Sequence, residues 1–210
     1  MAKYRLVYFR GRARAELTRL IFHAAGEEFE DVQLDDQSWQ QIKTTSPTGS
    51  LPMLINNETN EQLVQSMSIA RYIARELGLA GSDAYEMALV DSVADTMNDL
   101  LGDIVEVTFE DDARRKKERI RRFHERALPE TMEFLDRFVG RYGKGSGYAV
   151  GQNLTYADLC IYNTADQMVL AGVGGWKDLE RYPNIHTIVR RIEETPRFAG
   201  YLKSRPPAAF

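Results

Sequence analysis

The chain has 210 residues, 43% of them apolar and 28% charged, which is enough to bury a core in one large or two small globular domains. Its formal net charge of −4 argues against general polyanion binding, which needs a net basic face, but leaves room for a local anion site. One cysteine, Cys160, excludes an intramolecular disulfide and a cysteine-based zinc site, and His23, His124 and His186 lack metal-ligand spacing.

In chain order, "KYRLVYF" alternates and is rich in Tyr, Val and Phe, so it predicts a first strand. From Arg14 the period changes: Leu17, Leu20, Ile21 and Ala24 share one helix face, and Gly26 stands where a helix-ending glycine belongs. "FEDVQL" predicts a second strand, followed by a polar loop carrying Trp39 and Lys43. "LPMLIN" and "EQLVQ" predict two more strands joined as a hairpin. Ser66 then opens a helix with Ile69, Tyr72, Ile73 and Leu77 on one face.

After "GLAGSDA" the strands stop. Val90, Val93, Ala94, Met97, Leu101 and Ile104 trace one long helix. "EDDARRKKERIRR" predicts a solvated helix face or loop. Pro129 kinks that helix or starts the next. "NLTYADL" holds a capping box, with Thr155 as the N-cap and Asp158 reaching back to it. The expected architecture is an α/β domain over residues 1–78 and an all-helical domain over residues 84–210. No apolar run approaches the ~18 residues of a membrane span, and the start lacks a signal-peptide pattern, so the cytosol is the expected compartment.

Several residues point to an anion cleft. Tyr8 ends a strand and is followed by Arg10, Arg12, Arg14 and Arg19; Gln65-Ser66 sits where a strand hands over to a helix N-terminus, a ready carboxylate or phosphate site. Pro52 in "GSLPML" sits at the start of a strand, and its peptide bond is a candidate for the cis isomer. Each has a bland alternative when taken alone.

Taken together, in order and spacing, these segments resemble the cytosolic glutathione transferases, most closely the sigma class. The resemblance rests on "YRLVYFRGRARAE", "LPML", "QSMSIARYIARELGLAG", "NLTYADL" and "YLKSRP" and covers essentially the whole chain. It implies a thioredoxin-like first domain that binds glutathione and a helical second domain with the electrophile pocket. It implies that Tyr8 donates to the glutathione sulfur and that Arg14 adds positive potential there. Trp39 and Lys43 would hold the glycine end, Leu51 and Pro52 the cysteinyl unit, and Gln65 and Ser66 the γ-glutamyl carboxylate. Asp99 would reach the ligand of a neighbouring subunit, so a homodimer is implied. Phe9, Leu101, Val105 and Phe210 are the candidates for the electrophile pocket. No metal and no permanent cofactor are implied; glutathione is a co-substrate, and nucleic acid and membrane are not expected partners.

Two departures bear on function. Thr48 stands where other classes carry an aromatic dimer key, leaving a flatter interface with Arg71 near its axis. Glu106 stands where the prostaglandin D synthases of the family carry a pocket tryptophan, and their cation-binding Asp pair reads Asn98-Asp99 here. Conjugation of small hydrophobic electrophiles is therefore expected over isomerase activity, with a lens-crystallin-like structural role on the same scaffold as the other alternative.

Overall fold

In the computed structural model, which describes residues 2–205, the alternating stretch Tyr4–Phe9 forms strand β1, which buries Tyr4, Leu6 and Val7. It lies second in a four-stranded sheet of order β2-β1-β3-β4, with β2 at Phe29–Leu34, β3 at Met53–Asn56 and β4 at Gln62–Val64. Strands β1 and β2 are parallel, with Val7 opposite Val32 and Tyr8 opposite Gln33. A parallel pair needs a crossover, and helix α1, Glu16–Ala25, supplies it. Helix α1 ends where expected: Gly26 adopts φ 71°, and its N–H reaches the carbonyls of Phe22 and His23. The remaining pairs are antiparallel, with Leu6 opposite Leu54 and Leu54 opposite Leu63.

The segment after β2 differs from the expected polar loop. Residues Asp36–Ile42 form a short helix, α2, whose start is capped by Asp35 accepting the Ser38 N–H at 2.8 Å. A seven-residue, mostly exposed helix has no room for an apolar stripe, so only the Asp cap announced it. Helix α3, Ser66–Glu76, packs Ile69, Ala70, Ile73 and Ala74 against α1 and the sheet.

From Ala84 on, the described chain is helical: α4 Ala84–Thr108, α5 Ala113–Arg122, α6 Leu128–Tyr142, α7 Tyr156–Leu170, α8 Pro183–Glu194 and α9 Pro196–Ser204. Helix α7 is the centre, packed between α4, α8 and α1, with thirteen of its fifteen residues buried. Its start is the expected capping box. Asp158 is fully buried and accepts from Thr155 N at 2.8 Å, Thr155 Oγ1 at 3.0 Å and, beyond the box, Ala149 N at 2.6 Å. Burial pushes its carboxyl up to about 6 while those three donors hold it down, so it is ionised at neutral pH.

The basic run folds as α5, none of whose residues is buried, and its arginines pair with Glu106, Glu110, Glu118 and Glu125. One π-turn, Phe123–Ala127, joins it to α6 with Pro129 in the first turn, where its missing N–H costs little. Cys160 is a core thiol beside the Ala94 carbonyl at 3.5 Å, and burial pushes it up to about 12, which leaves it unreactive as a thiolate. No described helix is long and apolar enough to cross a membrane.

Candidate active site

Tyr8 is placed by β1, which delivers its phenol to the end of the sheet from which α1 begins. Beyond it the chain turns through Gly11 and Arg12, passes Ala13 at φ 28°, and forms a single 3-10 turn over Ala13–Ala15. This turn places the backbone N–H of Arg14 near the Tyr8 hydroxyl. Burial raises the phenol above its ordinary value of 10; the Arg14 N–H, then the Arg14 and Arg19 guanidinium groups, pull against that rise without cancelling it. The hydroxyl therefore keeps its proton at neutral pH. It can thus act as a hydrogen-bond donor to a second group.

Phe9 meets the Tyr8 ring edge-on at 5.7 Å and the Trp39 ring at 6.2 Å. Trp39, on α2, is 7% exposed. The Leu51–Pro52 peptide bond is cis, as the sequence suggested. Gln65 sits before α3 with φ 74° and ψ 114°, a conformation that non-glycine residues avoid, and its side chain is exposed. Ser66 is the first residue of α3, as expected, and the cap position falls on Gln65.

The structure brings several of these residues into one seam. Arg14, Leu17, Ser66, Met67, Asn98, Leu101, Cys160 and Asn163 line a small cleft between the sheet-bearing and helical halves. Trp39, Phe9, Tyr8, Arg14, Ser66 and Leu101 thus form a continuous run of neighbours. Lys43 and Asp99 are exposed, Leu51 and Val105 are half-buried, and Phe210 lies outside the described residues. The Glu106 carboxylate is held by Arg119, in a hollow that also includes Asp103 and Arg122, so that stretch of α4 presents charge and not an apolar wall. Among the described residues no three side chains of metal-binding type come together.

The residues that the sequence left without a role form a largely buried charge cluster behind this site, open at Asp31. Arg12 meets Asp166 at 3.3 Å, and Arg205 meets Asp166 at 2.7 Å and Glu16 at 2.8 Å. Arg19 meets Glu16 at 3.3 Å and Asp31 at 3.1 Å and also donates to the Gly11 carbonyl at 2.7 Å. Three arginines face three carboxylates, with Tyr201 donating to Glu16 at 3.1 Å. Arg10, by contrast, is exposed. The one hint in the sequence was Glu16 and Arg19 falling on a helix face that also carries apolar residues.

Comparison with known proteins accords with this geometry. A family model described as the glutathione S-transferase N-terminal domain matches residues 2–75, and the C-terminal domain model of the same family matches residues 98–205. The S-crystallin SL11 of Nototodarus sloanii is 31% identical and the hematopoietic prostaglandin D synthase of Gallus gallus 33%, each alignment covering 100% of both chains. The solved structure of the monomeric glutathione S-transferase Na-GST-3 from the hookworm Necator americanus superposes with a TM-score of 0.87 at 30% identity, covering 100% of both chains. Its sheet-plus-helix first half, its helical second half and both domain models occurring in order place this chain in the glutathione S-transferase family.

Proposed function

We propose that this protein is a sigma-type glutathione transferase that conjugates the thiolate of reduced glutathione to small hydrophobic electrophiles. The observation that carries this reading is the half-buried Tyr8 phenol at the end of β1, which keeps its proton at neutral pH and lies beside Arg14. A donor already in place stabilises a sulfur anion without reorganising when the anion forms. A free thiol ionises near about 8.5 and is only a few per cent thiolate at neutral pH; lowering that value by about two pH units takes about 2.7 kcal/mol. One hydrogen bond to a charged acceptor, with Arg14 nearby, is of that size.

In this reading residues 1–78 bind glutathione. Trp39 and Lys43 take its glycine end, the Leu51 backbone ahead of Pro52 its cysteinyl unit, and Gln65 and Ser66 its γ-glutamyl carboxylate at the α3 N-terminus. Residues 84–210 carry the electrophile pocket, with Phe9, Leu101, Val105 and Phe210 as its walls. Asp99 reaches across a homodimer, and the cytosol is the compartment. The Glu106–Arg119 pair weighs against isomerase activity of the prostaglandin D synthase type. The full-length likeness to an S-crystallin supports a structural role as the second reading.

The test is glutathione conjugation to an activated aryl halide, followed against pH. The expected rate rises to a plateau above about pH 6.5, roughly two pH units below the free thiol, and the active species sediments as a dimer. Negligible activity at every pH would transfer the weight to the structural role.

Gln65 supplies a separate check. Its φ of 74° is a conformation that costs of order 1–3 kcal/mol in a non-glycine residue. Gln65→Gly is expected to raise stability by about 1 kcal/mol while raising KM for glutathione about tenfold. Lower stability in the glycine variant, measured by denaturant unfolding, would contradict the strain. An unchanged KM would remove Gln65 from the ligand site.

A further inference from the structure

The turn between β1 and α1 has an unusual amount of buried side-chain support, and much of it comes from the far end of the chain. Arg14, whose backbone N–H lies near the Tyr8 hydroxyl, is two residues after Arg12 and two before Glu16. The Gly11 carbonyl is held by Arg19 at 2.7 Å, the Arg12 guanidinium by Asp166 at 3.3 Å, and the Glu16 carboxylate by Arg205 at 2.8 Å. Arg205, from beyond α9, ties the Glu16 end of the turn to Asp166 on α7, and Asp166 itself holds Arg12 at the other end. The side chains of Glu16, Arg19 and Arg205 are 1%, 4% and 7% exposed.

Inside that clamp Ala13 sits at φ 28°, outside the regions an alanine occupies freely. A strained residue persists only where its surroundings over-determine it. The α9 contacts extend the hold onto α1: Tyr201 donates to Glu16 at 3.1 Å and stacks on His23 at 3.9 Å, and Arg197 donates to the Ala24 carbonyl. Buried charges joined this way gain little net stability over an apolar replacement, so their value lies in fixing one geometry.

We propose that Arg205 and Asp166 are positioning residues for thiol activation: by clamping the turn from Gly11 to Glu16, they hold the Arg14 backbone against Tyr8. This rests on the reading of Tyr8 as the donor to the glutathione sulfur. Neither residue touches the sulfur; each acts through Arg12 or Glu16 on the path of the backbone. The groups facing the clamp are Arg12, Arg205 and Tyr162 around Asp166, and Arg19, His23, Tyr201 and Arg205 around Glu16. The helical half thereby governs chemistry carried by the sheet-bearing half.

The test compares the native protein with Asp166→Asn, Arg205→Met and Arg205→Lys. The readouts are the ultraviolet absorbance of enzyme-bound glutathione thiolate against pH, and kcat/KM and KM against pH. In Asp166→Asn and Arg205→Met the half-ionisation of the bound thiol is expected to rise by about one pH unit, a tenfold loss of thiolate at low pH. The rate should fall with it at pH 6 and rejoin the native rate once the thiol ionises unaided, with KM for glutathione little changed. Arg205→Lys, which keeps a cation, should recover part of the shift. Asp166→Asn keeps the side chain's shape and one of its two acceptor oxygens, so it decides the matter if Arg205→Met does not fold. A variant that loses melting temperature yet keeps the native thiol titration would overturn the clamp and leave the Tyr8 reading intact. A native protein whose bound thiol titrates like free glutathione would overturn both.

Discussion

Replacing Tyr8 with phenylalanine is expected to lower kcat/KM for glutathione conjugation by about 30- to 100-fold at pH 6.5. The estimate follows from one hydrogen bond to a charged acceptor, about 2–2.7 kcal/mol, at a factor of ten per 1.4 kcal/mol. The loss should shrink as pH rises, because above about pH 9 the thiol ionises without a donor and the hydroxyl no longer decides how much thiolate exists. Loss of activity alone would be ambiguous; convergence of the two pH profiles is the specific signature. A variant as active as the native protein at pH 6.5 would show that another group holds the sulfur.

Asp158→Ala is expected to have the largest effect on stability of any single polar substitution considered. The carboxylate lies at the start of the most buried helix and accepts three donors at 2.6, 2.8 and 3.0 Å. Alanine removes an N-cap partner worth about 1 kcal/mol and strands two backbone N–H groups, Ala149 and Thr155, at about 1–3 kcal/mol each. The sum is about 5 kcal/mol, which for a chain of this size corresponds to a fall in melting temperature of roughly 10–20 °C. Thr155→Ser, which keeps the hydroxyl, should stay within about 1 kcal/mol of the native protein. A change below about 1 kcal/mol in Asp158→Ala would mean that water replaces the carboxylate at low cost. Tyr8 lies outside this cluster of bonds, so the active fraction should keep its native pH profile.

What was readable and what was not divides along sequence distance. The strand at residues 4–9, the helix stripe through Leu17 and Ile21, the Thr155–Asp158 box and the exposed basic helix were readable because each is decided by neighbours within one or two turns. Helix α2 was missed because seven largely exposed residues carry no periodic apolar face, and only the Asp35 cap marks its start. The candidate site residues came from the likeness of short segments to a family, and of these Arg14, Ser66 and Leu101 line one small cleft. The position of the Arg14 backbone N–H beside Tyr8 is set by the 3-10 turn over Ala13–Ala15, and no side-chain pattern encodes where a backbone N–H points.

The arginines after Tyr8 show the same limit from the other side. By itself the sequence determined that a local cluster of positive charge follows a strand-end tyrosine in an acidic chain, and that a sheet-forming first part gives way to helices. It could not sort Arg12 and Arg19 from Arg10, since all three read alike within their own segment. Only the tertiary structure separates them, because burial of a guanidinium is decided by whether a carboxylate is waiting for it. For Arg12 that carboxylate is Asp166, 154 residues further along the chain. A buried charge is tolerated only with its partner in place, and the partner is supplied by the fold.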